Sequence, residues 1–555
     1  MGRLKAILGT LGAALLVLGL VMMFLSGPAV NAQDGEQTPA PEEQSAPATG
    51  EPLDQGGYEG SRECQDCHRN TVRDHQGSAH ALALQDTSRS QDPIVADFTA
   101  GEDLRTVTFP GEDTARPFTA GDVAYAIGSG VNAQAYVFEV ERNQYRVLPA
   151  QWNVAEGQWE ALELAAAWDD PAYDFVQSCA GCHTTGLDLE RSRWNDDGVM
   201  CESCHGPGEL HLETVDDAGR RPDDEELAAI RASINSGLDP QICGACHSRG
   251  AVPEGSPAFS VNFRPGGALS VEGEYVPFGP DDPVHWYATG QAAMTNMQYN
   301  EWAASGHAAA LANLPADAPA DCLTCHAAGD LTHNQALIAA HEAGDRAGIA
   351  PEPLTLATAR FGVACTSCHD PHASRNSELP ANLVAEPYAL CTSCHSSTTI
   401  TEGVHHPVTE MFEGTSFIEN ISGTPSAHFT ADDGPDCLTC HMPQMPFDGG
   451  IRSSHSLNAV MPGAALAVEG LVDGCSQCHA EQATPEALQA LIDDTQSGIR
   501  TRIEAARAAM PRTAPEWAVQ ALDFVEGDGS YGIHNYLYAD QVLDVLEANL
   551  GLAGN

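Results

Sequence analysis

Three patterns of apolar and polar positions divide this chain, and its long middle follows none of them. Residues 6–25, "AILGTLGAALLVLGLVMMFL", form an unbroken apolar run preceded by Arg3 and Lys5. Small residues follow at Val30 and Ala32, the arrangement of an export signal with cleavage after Ala32. The run is also long enough to span a bilayer. Residues 1–32 therefore read as a signal peptide or an N-terminal membrane anchor. Residues 33–60 are rich in Pro, Glu, Gln and Gly and read as a disordered acidic linker.

Period-two alternation then appears in "AYVFEVERNQYRVLPAQW" (135–152) and predicts a β-hairpin turning at Arg142–Asn143. It lies in a small β insert spanning about 95–160. The last segment, 481–555, changes to helical spacing. Leu488, Leu491, Ile492, Ile499 and Ile503 recur behind a Thr-Pro start, and "PEWAVQALDFV" and "YLYADQVLDVLEANL" follow. This predicts a C-terminal helical bundle.

The middle is organised by cysteine instead. All 18 cysteines fall in nine C-x-x-C pairs, each followed at once by histidine. The nine sites are Cys64/Cys67/His68, Cys179/Cys182/His183, Cys201/Cys204/His205, Cys243/Cys246/His247 and Cys322/Cys325/His326, then Cys365/Cys368/His369, Cys391/Cys394/His395, Cys437/Cys440/His441 and Cys475/Cys478/His479. With 22 histidines in 555 residues, nine such placements by chance come to about 10⁻¹³. Zinc knuckles do not require the adjacent histidine, and disulfides do not explain it. C-x-x-C-H is the attachment signature of c-type haem, two thioethers with the histidine beneath the iron. The expectation is nine covalent c-type haems, each with its iron.

Such density leaves little room for regular secondary structure between motifs. The expected fold class is mainly α with much irregular structure, packed around haem, with the β insert and the helical tail. Repeated phrases imply duplication. "CAGCHTTG", "GVMCESCHGPGELH" and "CGACHSRG" parallel "CLTCHAAGD", "GVACTSCHDPH" and "CTSCHSST", and "SAHALAL" (78–84) echoes "WAASGHAAAL" (302–311). The division expected is a four-haem module over 61–250, a five-haem module over 251–480, and the tail.

Thirteen histidines remain, and neutral imidazole is a good ligand for an open axial position. A histidine just past its own motif cannot wrap around its own macrocycle, so His211 and His372 are assigned to neighbouring haems. The distal candidates are His80, His211, His307, His372 and His534, then His406, His428 and His455, with His285 the weakest. His75, His333, His341 and His405 read equally well as surface or supporting residues.

Net charge is −52, and Lys5 is the only lysine. Such a chain repels nucleic acid and favours redox partner proteins with basic surfaces. General solubility explains the charge as well. The export segment implies a periplasmic or extracellular location, either free or tethered to the outer face of the cytoplasmic membrane. The sequence leaves a homo-oligomer or filament open.

The phrases "GVMCESCHGPGELH", "CGACHSRG", "GVACTSCHDPH", "CLTCHMP" and "RSSHSL" resemble those of multihaem cytochromes c. In these a tetrahaem cytochrome-like half joins a half resembling pentahaem nitrite reductases and octahaem hydroxylamine oxidoreductases. "WAASGHA" and "GIHNY" are similar to phrases across that wider superfamily, and the resemblance covers roughly 60–545. It implies a helical tail whose His534 serves as a distal ligand. A lysine-ligated catalytic haem is excluded, because every motif ends in histidine and no lysine follows Lys5. Nothing local marks Tyr531, Tyr536 or Tyr538 as a haem cross-link. Electron transfer along mostly bis-histidine haems is the leading expectation. The alternative is a multihaem oxidoreductase acting on a small nitrogen or sulfur compound at one open haem.

Overall fold

The computed structural model describes residues 55–331, 338, 354–374, 377–397, 403–416, 418, 421–447 and 450–551. The signal or anchor segment, the linker as far as Asp54, and His333 and His341 lie outside the described residues. The described residues all belong to one compact unit.

Its most regular part near the N-terminus is an antiparallel sheet of six short strands. These are β1 (Leu84–Asp86), β2 (Tyr125–Ile127), β3 (Ala133–Glu141), β4 (Gln144–Val147), β5 (Ala150–Asn153) and β6 (Gln158–Ala161). The order is β1-β2-β3-β5-β6, with β4 also pairing with β3. The β3–β4 hairpin turns through Arg142 and Asn143, Glu141 facing Gln144 across it. Asn143 sits at φ 62°, a left-handed conformation that asparagine adopts more readily than most residues. The sheet starts earlier than the alternation indicates, because β1 has three residues and shows no period of its own. One face buries Phe118, Tyr136, Leu148 and Trp159; the other packs Leu84, Val137 and Val147 onto Phe175, Val176 and Ala180. That second face carries the sheet directly onto the motif at Cys179.

Most of the middle is loop punctuated by single helical turns. In each C-x-x-C-H the thiols are three residues apart and the histidine follows four residues after the first. One turn of helix puts all three on the same side. His68, His183, His369, His395 and His479 each donate their backbone N–H to the carbonyl of the first cysteine of their motif, at 2.9–3.2 Å. Aspartates start several of these turns. Asp174, Asp239, Asp436 and Asp473 accept backbone N–H bonds at the helix N-termini before their motifs. Part of the acidity of the chain is thus spent on capping.

The longer helices are α1 (Glu209–Ala218), α2 (Asp224–Ala232), α3 (Pro240–His247) and α4 (Gln298–Ala303), then α5 (Pro485–Ala509), α6 (Glu516–Gly527) and α7 (Tyr536–Leu550). Thr484 caps α5 by accepting from Ala487 N–H, and Pro485 fills its first position. The buried stripe of α5 is Leu488, Ile492, Ile499, Ile503 and Ala506. Leu491 is 64% exposed, because it lies about 100° round the helix from Ile492 and off that stripe. The stripe from Ile499 onward meets Leu522, Phe524 and Val525 of α6 and Tyr538, Val542, Leu543 and Leu546 of α7 in one core that also takes in Met411. Arg502 crosses to α7, within 2.6–2.7 Å of Asp540, Asp544 and Glu547. Asn535 joins this tail to the motif region: its Oδ1 accepts from Tyr538 N–H and its Nδ2 donates to the carbonyls of Met411 and Thr424.

Candidate haem sites

Two imidazoles on opposite faces of one iron have a predictable spacing. Two metal–nitrogen bonds of about 2.0 Å, plus about 1.1 Å from each nitrogen to its ring centre, put the ring centroids about 6.3 Å apart. Seven of the nine motif histidines have an imidazole from elsewhere in the chain at that spacing. His205 faces His372 at 6.2 Å, His247 faces His80 at 6.2 Å, and His369 faces His455 at 6.3 Å. His395 faces His307 at 6.0 Å, His441 faces His534 at 6.2 Å, and His479 faces His428 at 6.3 Å. His326 has two such neighbours, His405 at 6.1 Å and His406 at 6.4 Å. The eighth, His68, lies near enough to His211 for their charges to act on each other. His183 has no imidazole at this spacing among the described residues.

The ring nitrogens fit metal coordination. A metal-bound histidine ordinarily donates its other N–H to a carbonyl or carboxylate, which fixes ring and tautomer. Here the Nδ1 atoms of His183, His205, His326, His369 and His441 bond the carbonyls of Ala83, Asn235, Ala310, Ala381 and Leu457 at 2.7–3.1 Å. Each Nε2 is left for iron. His211 Nδ1 bonds Ile230 O and Ser233 Oγ, both at 3.1 Å, and His534 Nδ1 bonds Asp528 Oδ1 at 2.7 Å. The Nδ1 of His455 is buried without a partner.

Burial sets the charge of these rings. Desolvation lowers the pKa of His183 and His205, and desolvation with nearby histidines pushes His247 and His395 down to about 4. Neutral imidazole, the form that binds iron, is therefore the resting state. His534 is the exception. Burial acts against its protonation, but the hydrogen bond and charge of Asp528 outweigh it and the pKa rises.

Some histidines are placed elsewhere. His285 stacks on Phe278 with centroids 3.7 Å apart, and its Nδ1 meets Asp282 at 3.1 Å. The structure brings it to none of the motif histidines. His75 is buried with both nitrogens engaged, Nε2 on Val199 O and Nδ1 on Ser78 Oγ, which makes it a supporting residue beside His372. In the tail Tyr538 is fully buried and Tyr536 is exposed, so neither is singled out for chemistry.

Sequence reading passes over three contributors. It sets His405 behind the more promising His406. Asp528 carries no motif. Glu301 is fully buried on α4, and both its oxygens pair with Arg452 at 3.0 Å. It also accepts from Ala292 N, Ser454 Oγ and His455 N at 2.6–2.9 Å. One carboxylate thus fixes the "RSSHS" segment that aims His455 at His369. The signal available is an acid in "NEWAASGH" and a lone arginine ahead of His455, too little to pair them.

Cysteines from different motifs also meet. Thiols of Cys64 and Cys201, Cys182 and Cys246, Cys243 and Cys365, Cys325 and Cys394, and Cys391 and Cys437 are near enough to shift each other's ionisation. Charge on Cys243 raises the pKa of Cys204, that on Cys394 the pKa of Cys368, and that on Cys475 the pKa of Cys440.

Cys67 and Cys478 are exposed, whereas the other motif cysteines are half-buried. Cys64 and Cys475, the first thiols of the same two motifs, are half-buried and face Cys201 and Cys440.

Comparison with known proteins agrees with this chemistry. The model of the doubled CXXCH motif matches residues 359–399, and that of cytochrome c554 and c-prime matches 152–206. The chain carries the motifs and the fold of multihaem c-type cytochromes. Among curated proteins none matches it. Of solved structures, the Outer Cell Wall Cytochrome OcwA is 27% identical with TM-score 0.70, covering 89% of this chain and 99% of that one. The undecaheme cytochrome from the S-layer of Carboxydothermus ferrireducens is 20% identical with TM-score 0.52, covering 89% of this chain and 69% of that one. The second likeness shows shared fold. Among the described residues of this cytochrome no helix is long and apolar enough to cross a membrane.

Proposed function

We propose that this cytochrome is an extracytoplasmic nonahaem electron carrier in which most irons have two histidine ligands. The observation that carries the reading is the recurrence of paired imidazoles 6.0–6.4 Å apart, each pair joining a motif histidine to one from a distant segment. Haem iron supplies one-electron redox chemistry. The chain's part is to fill both axial positions, exclude water and set the spacing.

The cysteine contacts support an order for the sites. Since each cysteine bonds a porphyrin edge, neighbouring cysteines mark neighbouring edges. They link the motifs beginning at Cys64, Cys201, Cys243, Cys365, Cys391, Cys437 and Cys475 in that sequence. The motif at Cys179 branches from the Cys243 site and that at Cys322 from the Cys391 site. The sequence gap between Cys243 and Cys365 is bridged in space, so the path runs from the N-terminal end of the array to the helical tail. Both branches begin the repeated units, as duplication of one unit would produce.

A second reading has its own support. His183 stands without a facing imidazole among the described residues, so the branch at Cys179 is where a small nitrogen or sulfur compound would reach iron. An outer-surface location is supported by the likeness to an outer cell wall cytochrome. The net charge of −52 supports basic redox partners, steered over distance. The test is stepwise reduction of the purified protein with the haem count fixed by intact mass. Nine haem increments and a spectrum dominated by low-spin haem are expected. Fewer increments, or mostly high-spin haem, would overturn the proposal.

A further inference from the structure

We propose that the iron above His326 has two interchangeable distal ligands, His405 and His406, so that its sixth position is exchangeable where each of the other paired motif histidines faces a single distal candidate of its own. The inference rests on the haem-binding reading and deepens it. His405 and His406 lie 6.1 and 6.4 Å from His326, both at the spacing that two imidazoles on one iron require. Their planes are inclined to His326 by nearly the same angle, 28° and 29°, and their own centroids are 3.9 Å apart. Ligand atoms of all three histidines lie within 4.8 Å of one another. An isolated triad of this kind would pass for a divalent-metal site. Here His326 is committed to haem by Cys322 and Cys325, which leaves one axial position for two imidazoles.

The backbone explains how both are presented. Ser397 Oγ accepts from the His405 N–H at 3.0 Å and donates to the His405 carbonyl at 2.7 Å, holding that residue at both ends. His406 sits at φ 49°, in the left-handed region, and its carbonyl accepts from Val408 N–H across Pro407 at 2.8 Å. Successive side chains in extended backbone diverge to opposite sides; the left-handed residue turns the second ring back beside the first. Exchange then needs side-chain rotation only. A displaced His406 has a resting place, since its ring is already 5.9 Å from that of His395, which has its own partner in His307. The duplicated unit sharpens the contrast. The motif at Cys179 occupies the corresponding branch and has no facing imidazole among the described residues, whereas the motif at Cys322 has two.

The test uses the purified holoprotein, with H405A, H406N and the double variant. Asparagine at 406 is chosen because it tolerates a positive φ. Haem number is fixed by intact mass, and high-spin ferric haem is counted by electron paramagnetic resonance. Neither single variant should gain high-spin haem, and the double variant should gain one per chain, reverting when free imidazole is added. A gain of one in either single variant would show a dedicated ligand and overturn the proposal. No gain in the double variant would also overturn it. If the double variant does not accumulate, the low-spin signal of that haem must shift in each single variant, and unshifted signals in both would overturn the proposal. Too few haems in the wild-type protein would instead overturn the underlying nine-haem reading.

Discussion

Asp528 offers the sharpest quantitative handle on one site. Its carboxylate is 1% exposed and takes the Nδ1 proton of His534 at 2.7 Å, while Ser530 Oγ donates to its other oxygen. His534 faces His441 at ligand spacing. A charged acceptor makes the imidazole more basic, and a more basic ligand favours the ferric over the ferrous state. D528N keeps the size and a neutral hydrogen bond but removes the charge. A charged hydrogen bond contributes about 1.5–3 kcal/mol and a neutral one about 0.5–1.5 kcal/mol. The loss is therefore about 1.25 kcal/mol, felt mainly by the ferric form. For a one-electron couple that corresponds to about 55 mV. One haem should move up in potential by about that amount while the other eight stay put. A redox titration followed by electron paramagnetic resonance would resolve a single low-spin signal shifting. An unchanged set of potentials would refute the argument, as would a downward shift.

Three further outcomes follow from the geometry. E301Q breaks a pair in which Glu301 is fully buried and Arg452 9% exposed, a change that costs about 3–5 kcal/mol; thermal unfolding should come earlier and one extra high-spin haem should appear as His455 loosens, whereas lost stability with an unaltered spin count would confine Glu301 to packing. H285A should leave every low-spin signal in place, since His285 packs on Phe278 and Asp282; a new high-spin haem would show it to be a ligand. Reduction by a basic redox protein should slow steeply between 0.01 and 1 M salt, as the screening length falls from about 30 to about 3 Å; a flat response would exclude steering by the acidic surface.

What could be read from the sequence divides along physical lines. Covalent haem attachment needs five contiguous residues, so each site from Cys64 to His479 is written out in the chain. The α5 helix is as plain as the motifs, because Thr484, Pro485 and a long stripe repeat the same signal. Distal pairing is different in kind. His80 meets His247 across two intervening motifs, and His372 meets His205 from the other repeat, so neither pair leaves a local trace. Local setting can mislead. His285 is a candidate for being spare, yet an aromatic ring and an aspartate occupy it, and His405 ranks below His406 although both reach the same site. Short strands such as β1 and buried charges such as Glu301 take their meaning from partners far along the chain. Sequence alone supplies the charge but not the address of the counter-charge.

The most direct test of the account is a spin count on the fully oxidised, purified protein, normalised to nine haems by intact mass. At least seven low-spin ferric haems are expected, one for each motif histidine that faces a second imidazole at ligand spacing. Three or more high-spin haems would contradict the pairing on which the account depends.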